Sequence, residues 1–252
     1  MKFLITGGTG FLGQALVKRL LKDAGVSEIR VYSRDEFKQS EMARKIADER
    51  VTYWLGDVRN LERLKEACDG VNVIIHTAAM KRMDTISRNV SELVEVNITG
   101  TKNVMRAGER CRKIVFVSSD KAYNATCVYG ASKFIGEKIV LAYPNGIVWR
   151  FGNFIGSRGS VWEVFEDQKK SGILTVCHPD ATRFVITVEQ VCDCLLSDIG
   201  PGLYYPPNLP AINIMSLAKK IAPNAEYRIV GLREGEKLHE SFDEDYSSDK
   251  YV

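Results

Sequence analysis

An α/β fold, a doubly wound parallel sheet carrying a small α/β cap, is predicted by three observations. Between Lys2 and Arg150, short apolar runs bounded by turn residues alternate with stretches of helical periodicity. A glycine-rich turn, Thr6-Gly7-Gly8-Thr9-Gly10-Phe11-Leu12-Gly13, joins the first run to the first helix. The fifth run, Lys113-Ile114-Val115-Phe116-Val117, is followed by Ser118-Ser119-Asp120-Lys121, so polar groups gather at a strand's C-terminal end. In open α/β sheets that edge is where ligands bind.

The bulk properties narrow the class. A chain of 252 residues accommodates a dinucleotide-binding domain with a small cap. The boundaries read as 1–151 with 176–198 for the nucleotide-binding part, and 152–175 with 199–252 for the cap. Hydrophobic content of 45% and charged content of 27% are those of a soluble globular protein. A net charge of +3 is too small to argue for nucleic acid or a membrane surface. The six cysteines are scattered and form no Cys-x-x-Cys pair, so no metal site is expected. No leader segment and no membrane-spanning stretch is read, and a reducing cytoplasm is expected.

Lys2–Ile5 is the first strand. Gly8, Gly10 and Gly13 satisfy the dinucleotide fingerprint, and Gly7, Gly10 and Gly13 its three-spaced variant. These glycines allow backbone to approach a pyrophosphate, and the following helix N-terminus supplies free N–H groups. The context is therefore Rossmann-type. Ile29–Tyr32 is the second strand and ends in Ser33-Arg34-Asp35, with Lys38 beyond. A guanidinium there suits a 2′-phosphate, so NADP is predicted over NAD. Asp57, after the third strand Val51–Leu55, either accepts from an adenine amino group or caps the helix Asn60–Ala67. Val73–His76 is the fourth strand, and Thr77-Ala78-Ala79 lets backbone pass close to the cofactor. His76 reads as a hydrogen-bonded core residue. A long helix over Ser91–Arg110 then covers the sheet.

Tyr129 and Lys133 lie four apart on a helix predicted over Tyr129–Leu141 and share one face. An ammonium beside a phenol favours the phenolate. Ile147–Arg150 is the sixth strand. Glu189–Leu196 reads as a helix returning to the nucleotide domain, Gly231–Glu240 as a charged loop running into a helix, and Asp243–Val252 as a loose tail.

Together these residues resemble an extended short-chain dehydrogenase/reductase. More narrowly they resemble the inverting UDP-N-acetylglucosamine 4,6-dehydratases of pseudaminic acid synthesis. The resemblance runs from Lys2 to about Glu240, and the family's C-terminal region is largely unmatched. It rests on Thr6–Gly10, Tyr32–Glu36 with Lys38–Met42, Gly56–Arg59, Ser119–Ala122, Gly156–Ser160 and Gly235–Glu240. It implies that Thr9, Gly10, Phe11, Leu12, Ser33, Arg34, Asp35, Lys38, Asp57, Val58, Tyr129 and Lys133 contact NADP. Asn153, Arg158, Arg183, Arg233 and Glu236 would hold the UDP-sugar, and Lys81 would face the active site. Arg82 stands where the family has His, Thr77 where it has a small apolar residue, and Glu234 where it has Pro. Tyr129 favours the inverting branch, since related branches have Met there.

The implied chemistry starts with Tyr129 taking the O4 proton while Ser119 hydrogen-bonds O4. Hydride leaves C4 for NADP. Lys121 then acts as base at C5, Asp120 as acid on O6, and hydride returns to C6. A protonated Asp120 and a neutral Lys121 both run against their ordinary charge states. The alternatives are a 5,6-dehydratase, a 4-epimerase, or an NADP-binding module without turnover. A homo-oligomer is expected from the resemblance.

Overall fold

The computed structural model describes residues 1–157 and 159–252. The chain runs β1 (Lys2–Thr6), α1 (Phe11–Leu20), β2 (Glu28–Ser33), α2 (Glu36–Lys45), β3 (Val51–Leu55), α3 (Leu61–Cys68), β4 (Val73–His76), α4 (Met83–Ile86), α5 (Val90–Val94), α6 (Gly100–Ala107), β5 (Lys113–Ser119) and α7 (Val128–Leu141). It continues with β6 (Gly146–Phe151), β7 (Asn153–Phe154), α8 (Val161–Lys169), β8 (Ile173–Val176), β9 (Thr182–Ile186), α9 (Val188–Leu195), β10 (Gly202–Tyr204), β11 (Ala211–Asn213), α10 (Ile214–Ile221) and β12 (Glu226–Ile229). Seven strands form one parallel sheet in the order β10-β6-β5-β4-β1-β2-β3. The order reverses between β1 and β4, which opens a crevice at their C-terminal ends.

The alternation of side chains along each strand explains why both faces are covered. Phe3, Ile5, Ile75, Val115 and Ile147 enter one apolar core with Leu12, Leu16 and Leu20 of α1. Their neighbours Leu4, Ile74, Ile114, Phe116 and Val148 enter the other, with Leu64, Val104 and Val140. A strand buried on both faces reads as a continuous apolar run, which is why these strands were visible in the sequence.

The long helix expected over Ser91–Arg110 is broken by a widened turn at Glu95–Thr99, between α5 and α6. The widening aims Asn97 into the fold. Its amide takes Met80 N–H at 2.8 Å and donates to Met80 O at 2.9 Å and Ser132 Oγ at 3.0 Å. The loop after β4 is thereby tied to α7, a common use of such bulges near functional sites.

The cap holds a three-stranded sheet, β11-β9-β7, and a β12-β8 pair, with α8 and α10 around Phe165, Leu174, Val176, Ile214 and Leu217. Its boundaries differ from those read in the sequence. Thr182–Ile186, assigned to the nucleotide domain, pairs with β7 and β11 of the cap, and Val176 pairs with Ile229. Gly202–Tyr204, assigned to the cap, adds to β6 as the seventh strand of the main sheet. Strands this short carry no readable period, and their partners are distant in sequence. No helix follows Gly231–Glu240; instead Thr182 N–H donates to Leu238 O at 3.0 Å and the segment forms a bridge at His239. The C-terminal segment is not loose either. Phe242 and Ser248 are fully buried, and the Phe242, Tyr246 and Phe184 rings pack with centroids 4.7–5.2 Å apart.

One buried ion pair joins these parts. Arg150 Nη2 lies 2.7 Å from Glu137 Oε2 and Nε 2.8 Å from Oε1. Ser118 Oγ donates to Glu137 Oε1 at 2.5 Å, and Arg150 Nη1 donates to Phe242 O at 2.7 Å. Removing one partner of such a pair leaves a buried charge unmatched and costs about 3–5 kcal/mol. Arg150→Met is therefore expected to lower urea unfolding stability by about that amount, followed by tryptophan fluorescence. Lys170→Met, at the solvent-exposed pair with Asp167, is expected to leave the curve in place.

Candidate active site

The crevice is a cleft of about 1940 Å³ that runs from the glycine turn, past the tips of β2, β4 and β5, to the cap. At one end the chain fits a dinucleotide. Gly7 sits at φ +68°, and a Cβ there would fall 2.9 Å from the Ala78 N and Cα. At Gly13 a Cβ would meet the Gly8 backbone at 2.5 Å, so α1 can pack this close to the turn only without a side chain. No side chain caps α1 at Gly10, and no acidic residue lies in its first turn. Its first amides thus remain donors for a diphosphate.

Thr9, Gly10, Phe11, Leu12, Ser33, Arg34, Asp35, Lys38, Val58, Thr77, Ala78, Ala79 and Lys81 line the cleft as expected. Two acidic groups near this end are engaged within the chain. Asp35 caps α2, taking Lys38 N–H at 3.0 Å and pairing with Lys38 Nζ at 2.6 Å. Asp57 is engaged by Arg59 at 2.8 Å and Arg34 at 3.7 Å. It does not cap α3; Asn60 does, accepting from Arg63 N–H at 3.0 Å.

His76 is a core histidine. Its Nδ1 lies 2.6 Å from Thr6 Oγ1 and its Nε2 3.1 Å from Thr101 Oγ1. Thr101 donates to Asn97 O at 2.6 Å, so its oxygen accepts from Nε2–H and the tautomer is set. Burial, and then Lys133, depress the imidazole to about 3 and keep it neutral.

At the C-terminal edge of the sheet, Ser119, Lys121, Tyr129 and Lys133 share the cleft wall. Tyr129, Lys133 and Glu137 succeed one another at single-turn spacing on α7. Lys133 Nζ donates to Val117 O at 2.8 Å and lies 4.5 Å from the Phe116 ring. Burial pulls this ammonium down to about 7, against the attraction of Glu137. Burial pushes the Tyr129 phenol up to about 12; the cation drawing it back is Lys121, assisted by the Ser119 hydroxyl. The sequence reading gave that task to Lys133.

Asp120 lies behind the wall, fully buried. Its Oδ1 accepts from Ser119 Oγ at 2.8 Å and from Lys121 Nζ at 3.1 Å, while its Oδ2 has no hydrogen-bond partner among the described residues. Burial pushes its carboxyl well above the usual carboxylate range, Glu240 adds to this, and Lys121 opposes. That direction suits the acid expected from the sequence. Lys121 departs from expectation. Burial works against its charge, but Asp120 and Glu240 outweigh it and hold the amine cationic. Glu240 was not singled out by sequence reasoning, although it closes the Gly235–Glu240 motif; a glutamate in a charged loop reads as solvated, yet this one is 2% exposed. Its Oε1 is 3.3 Å from Lys121 Nζ.

Toward the cap, Asn153, Arg183, Arg233 and Glu236 line the cleft. Arg183 and Glu236 are paired at 2.7 Å, and Asn153 Oδ1 lies 3.5 Å from Lys121 Nζ. Arg158 lies outside the described residues. Among the described residues no group of three or more His, Cys, Asp or Glu could hold a metal, and no helix is long and apolar enough to cross a membrane.

The chain and its fold have known relatives. Over 252 aligned positions the chain is 38% identical to the inverting UDP-N-acetylglucosamine 4,6-dehydratase of Campylobacter jejuni, covering 94% of this chain and 75% of that protein. It is 35% identical to a UDP-glucose 4-epimerase of Rickettsia rickettsii, covering 94% and 76%. Among solved structures, Pen from Bacillus thuringiensis superposes with a TM-score of 0.88 at 31% identity, covering 95% of this chain and 79% of that one. A dTDP-glucose 4,6-dehydratase from Streptomyces venezuelae, solved with NAD, shares the fold at 22% identity, with a TM-score of 0.85 over 96% and 88%. The polysaccharide biosynthesis protein family model matches residues 3–251, from the first strand to the final turn, and the chain belongs to that family, as an extended short-chain dehydrogenase/reductase.

Proposed function

We propose that this protein is an NADP-dependent UDP-N-acetylglucosamine 4,6-dehydratase that inverts C5. The observation that carries the reading is the cluster at the β5 tip. Ser119, Lys121, Tyr129 and Lys133 face one cleft with a dinucleotide cradle, and the buried Asp120 contacts both Ser119 and Lys121. A simple epimerase needs Tyr129 and Lys133 but no acid–base pair beside them. The relatedness to the Campylobacter enzyme supports the same choice.

In this reading Gly7, Thr9, Gly10 and the first amides of α1 would hold the diphosphate of the cofactor, which would supply the hydride acceptor for sugar C4 and the hydride donor to C6. Tyr129 Oη accepts the O4 proton, and Ser119 Oγ holds O4. The ketone formed at C4 acidifies the C5 proton. Lys121 Nζ is the member of the acid–base pair on the wall, so it takes the C5 proton after releasing one of its own to a carboxylate in contact with it. Asp120 supplies the proton that lets the C6 hydroxyl depart as water, through Ser119 Oγ or Lys121 Nζ, and once C6 has regained its hydride a proton of solvent origin is added to C5 on the face opposite Lys121, which inverts that centre. Arg183, Arg233, Asn153 and Glu236 are the groups available to the UDP-sugar, with Arg158 assigned the same role from sequence.

The NADP preference is supported by Arg34, which is more than half exposed on the cleft wall, and by the occupation of Asp35 as a helix cap. A carboxylate committed to α2 competes poorly for a ribose 2′-hydroxyl, whereas an exposed guanidinium suits a 2′-phosphate. Self-association is supported by Val128, Phe134, Ile135 and Leu141, which α7 leaves exposed. The six free cysteines suit a reducing cytoplasm.

Incubation with UDP-N-acetylglucosamine is expected to give a product lighter by one water, with a C4 ketone and a C6 methyl by NMR, and solvent deuterium at C5. Unchanged mass would indicate epimerisation, and an alkene signal a 5,6-dehydratase. Lys121→Met is expected to abolish deuterium uptake while the protein still binds NADP. By calorimetry, Arg34→Ala is expected to weaken NADP by about tenfold or more, the loss of one charge-assisted contact, and to leave NAD affinity unchanged. Tighter binding of NAD than NADP by the unaltered protein would overturn the preference.

A further inference from the structure

Two buried carboxylates, Asp120 and Glu240, face one ammonium on the cleft wall. Lys121 Nζ is 3.1 Å from Asp120 Oδ1 and 3.3 Å from Glu240 Oε1. Their surroundings are unequal. Each carboxylate has one oxygen without a hydrogen-bond partner among the described residues, Asp120 Oδ2 and Glu240 Oε2, but the cation beside Asp120 is Lys121. Glu240 is reached in addition by Lys237 Nζ at 3.7 Å, and Arg183 on β9 adds to its cationic surroundings. An unpaired anionic oxygen fully removed from water is far costlier than a neutral carboxyl group. With a single ammonium between them, the carboxylate with fewer cations is the one that takes a proton.

We propose that Glu240 is a positioning residue for the acid–base pair: it supplies the lasting counter-charge of Lys121 and so leaves Asp120 as a neutral acid at neutral pH. This rests on the dehydratase reading and adds a residue to it. It resolves the demand that an aspartic acid beside a lysine be protonated where it works. It also gives the Lys121 proton a destination, since Glu240 stays ionised and in contact with Nζ.

Two structural details support a dedicated role. Glu240 is held from behind, its backbone N–H donating to Ser248 Oγ at 3.0 Å, and Ser248 Oγ lies 2.7 Å from Thr182 Oγ1. Lys237, which also contacts Glu240, is itself anchored on Tyr123 O. Other titratable or charged groups around the trio are Tyr129 and Cys127 from the α7 end, Arg183 from β9, and Glu236, whose carboxylate is engaged by Arg183. Burial and Glu240 raise Asp120, whereas Lys121, Arg183 and Lys237 together hold Glu240 below its usual range despite its burial.

The test combines infrared spectroscopy with a pH–rate profile. The difference spectrum between the wild type and Asp120→Asn at neutral pH should contain a protonated-carboxyl C=O band. Glu240→Gln should abolish that band, because Asp120 then becomes the main counter-ion of Lys121 and ionises. In the same variant the alkaline limb of kcat/KM for water loss from UDP-N-acetylglucosamine should move down by about one pH unit or more, about tenfold in rate above the limb, with NADP affinity unchanged. Glu240→Asp, which keeps the charge, should retain the wild-type limb. Absence of the carboxyl band in the wild type overturns the proposal, as does a Glu240→Gln profile superimposable on the wild type. Should Glu240→Gln not fold, the wild-type band and the Glu240→Asp profile decide alone: loss of either expected feature overturns the proposal. The infrared arm requires no turnover, so failure of the wild type to dehydrate this substrate counts against the substrate reading and leaves the Glu240 assignment to stand or fall on the band.

Discussion

The contact on which this architecture depends is the buried pair between Glu137 and Arg150. Glu137 lies two helical turns after Tyr129 and one after Lys133 on α7, so fixing its carboxylate fixes the register of the stripe that carries both. Ser118, at the tip of β5, donates to the same carboxylate, and Arg150 belongs to β6. Helix, strand tip and neighbouring strand are thus clamped by one set of charge-assisted bonds in a low-dielectric interior. The remaining guanidinium donor reaches Phe242 O, two residues beyond Glu240. The same arginine that locks the catalytic helix therefore also anchors the segment that brings Glu240 to Lys121.

The two ends of the cleft are built by different means. The cofactor end is made of backbone: a positive-φ glycine, a helix start without a capping side chain, and the Ala78-Ala79 turn after β4. Such a surface offers N–H groups and close approach, and it is indifferent to protonation. The catalytic end is made of titratable side chains whose charges are set by one another and by burial. Lys133 is drawn down to about 7 by burial, while Lys121, equally an amine, is held cationic by two carboxylates. Counter-charge outweighs burial at one lysine and not at the other, and that difference separates their roles.

Much of this was legible in the sequence. Strands buried on both faces write themselves as apolar runs, so Val73–His76 has the boundaries read from the residues. The glycine turn and the Tyr129–Lys133 spacing are local signals with local causes. What could not be read depends on contacts between distant segments. Gly202–Tyr204 joins the main sheet only because β6 presents a free edge. Phe242 and Tyr246 pack on Phe184 from a stretch whose composition is acidic and polar. Asp35 lies at the strand tip where a ribose carboxylate would lie, and only the start of α2 reveals that it is a cap. Glu240 carries the same lesson: its composition is that of a solvated loop, and its burial follows from the Thr182, Ser248 and Phe242 contacts that hold the C-terminal segment against the sheet.

That segment changes how the acid–base pair should be understood. Asp120 and Lys121 are adjacent in the chain, and adjacency alone would leave them as a simple ion pair, each stabilising the ordinary charge of the other. A pair in that state holds no spare acid. A second carboxylate in contact with the same ammonium breaks the symmetry, because Glu240, which Lys237 also reaches, keeps its charge at lower cost than Asp120 does. A buried charge without enough counter-charge is the costlier state, so the third member, brought in from the far end of the chain, decides which of the first two can give up a proton.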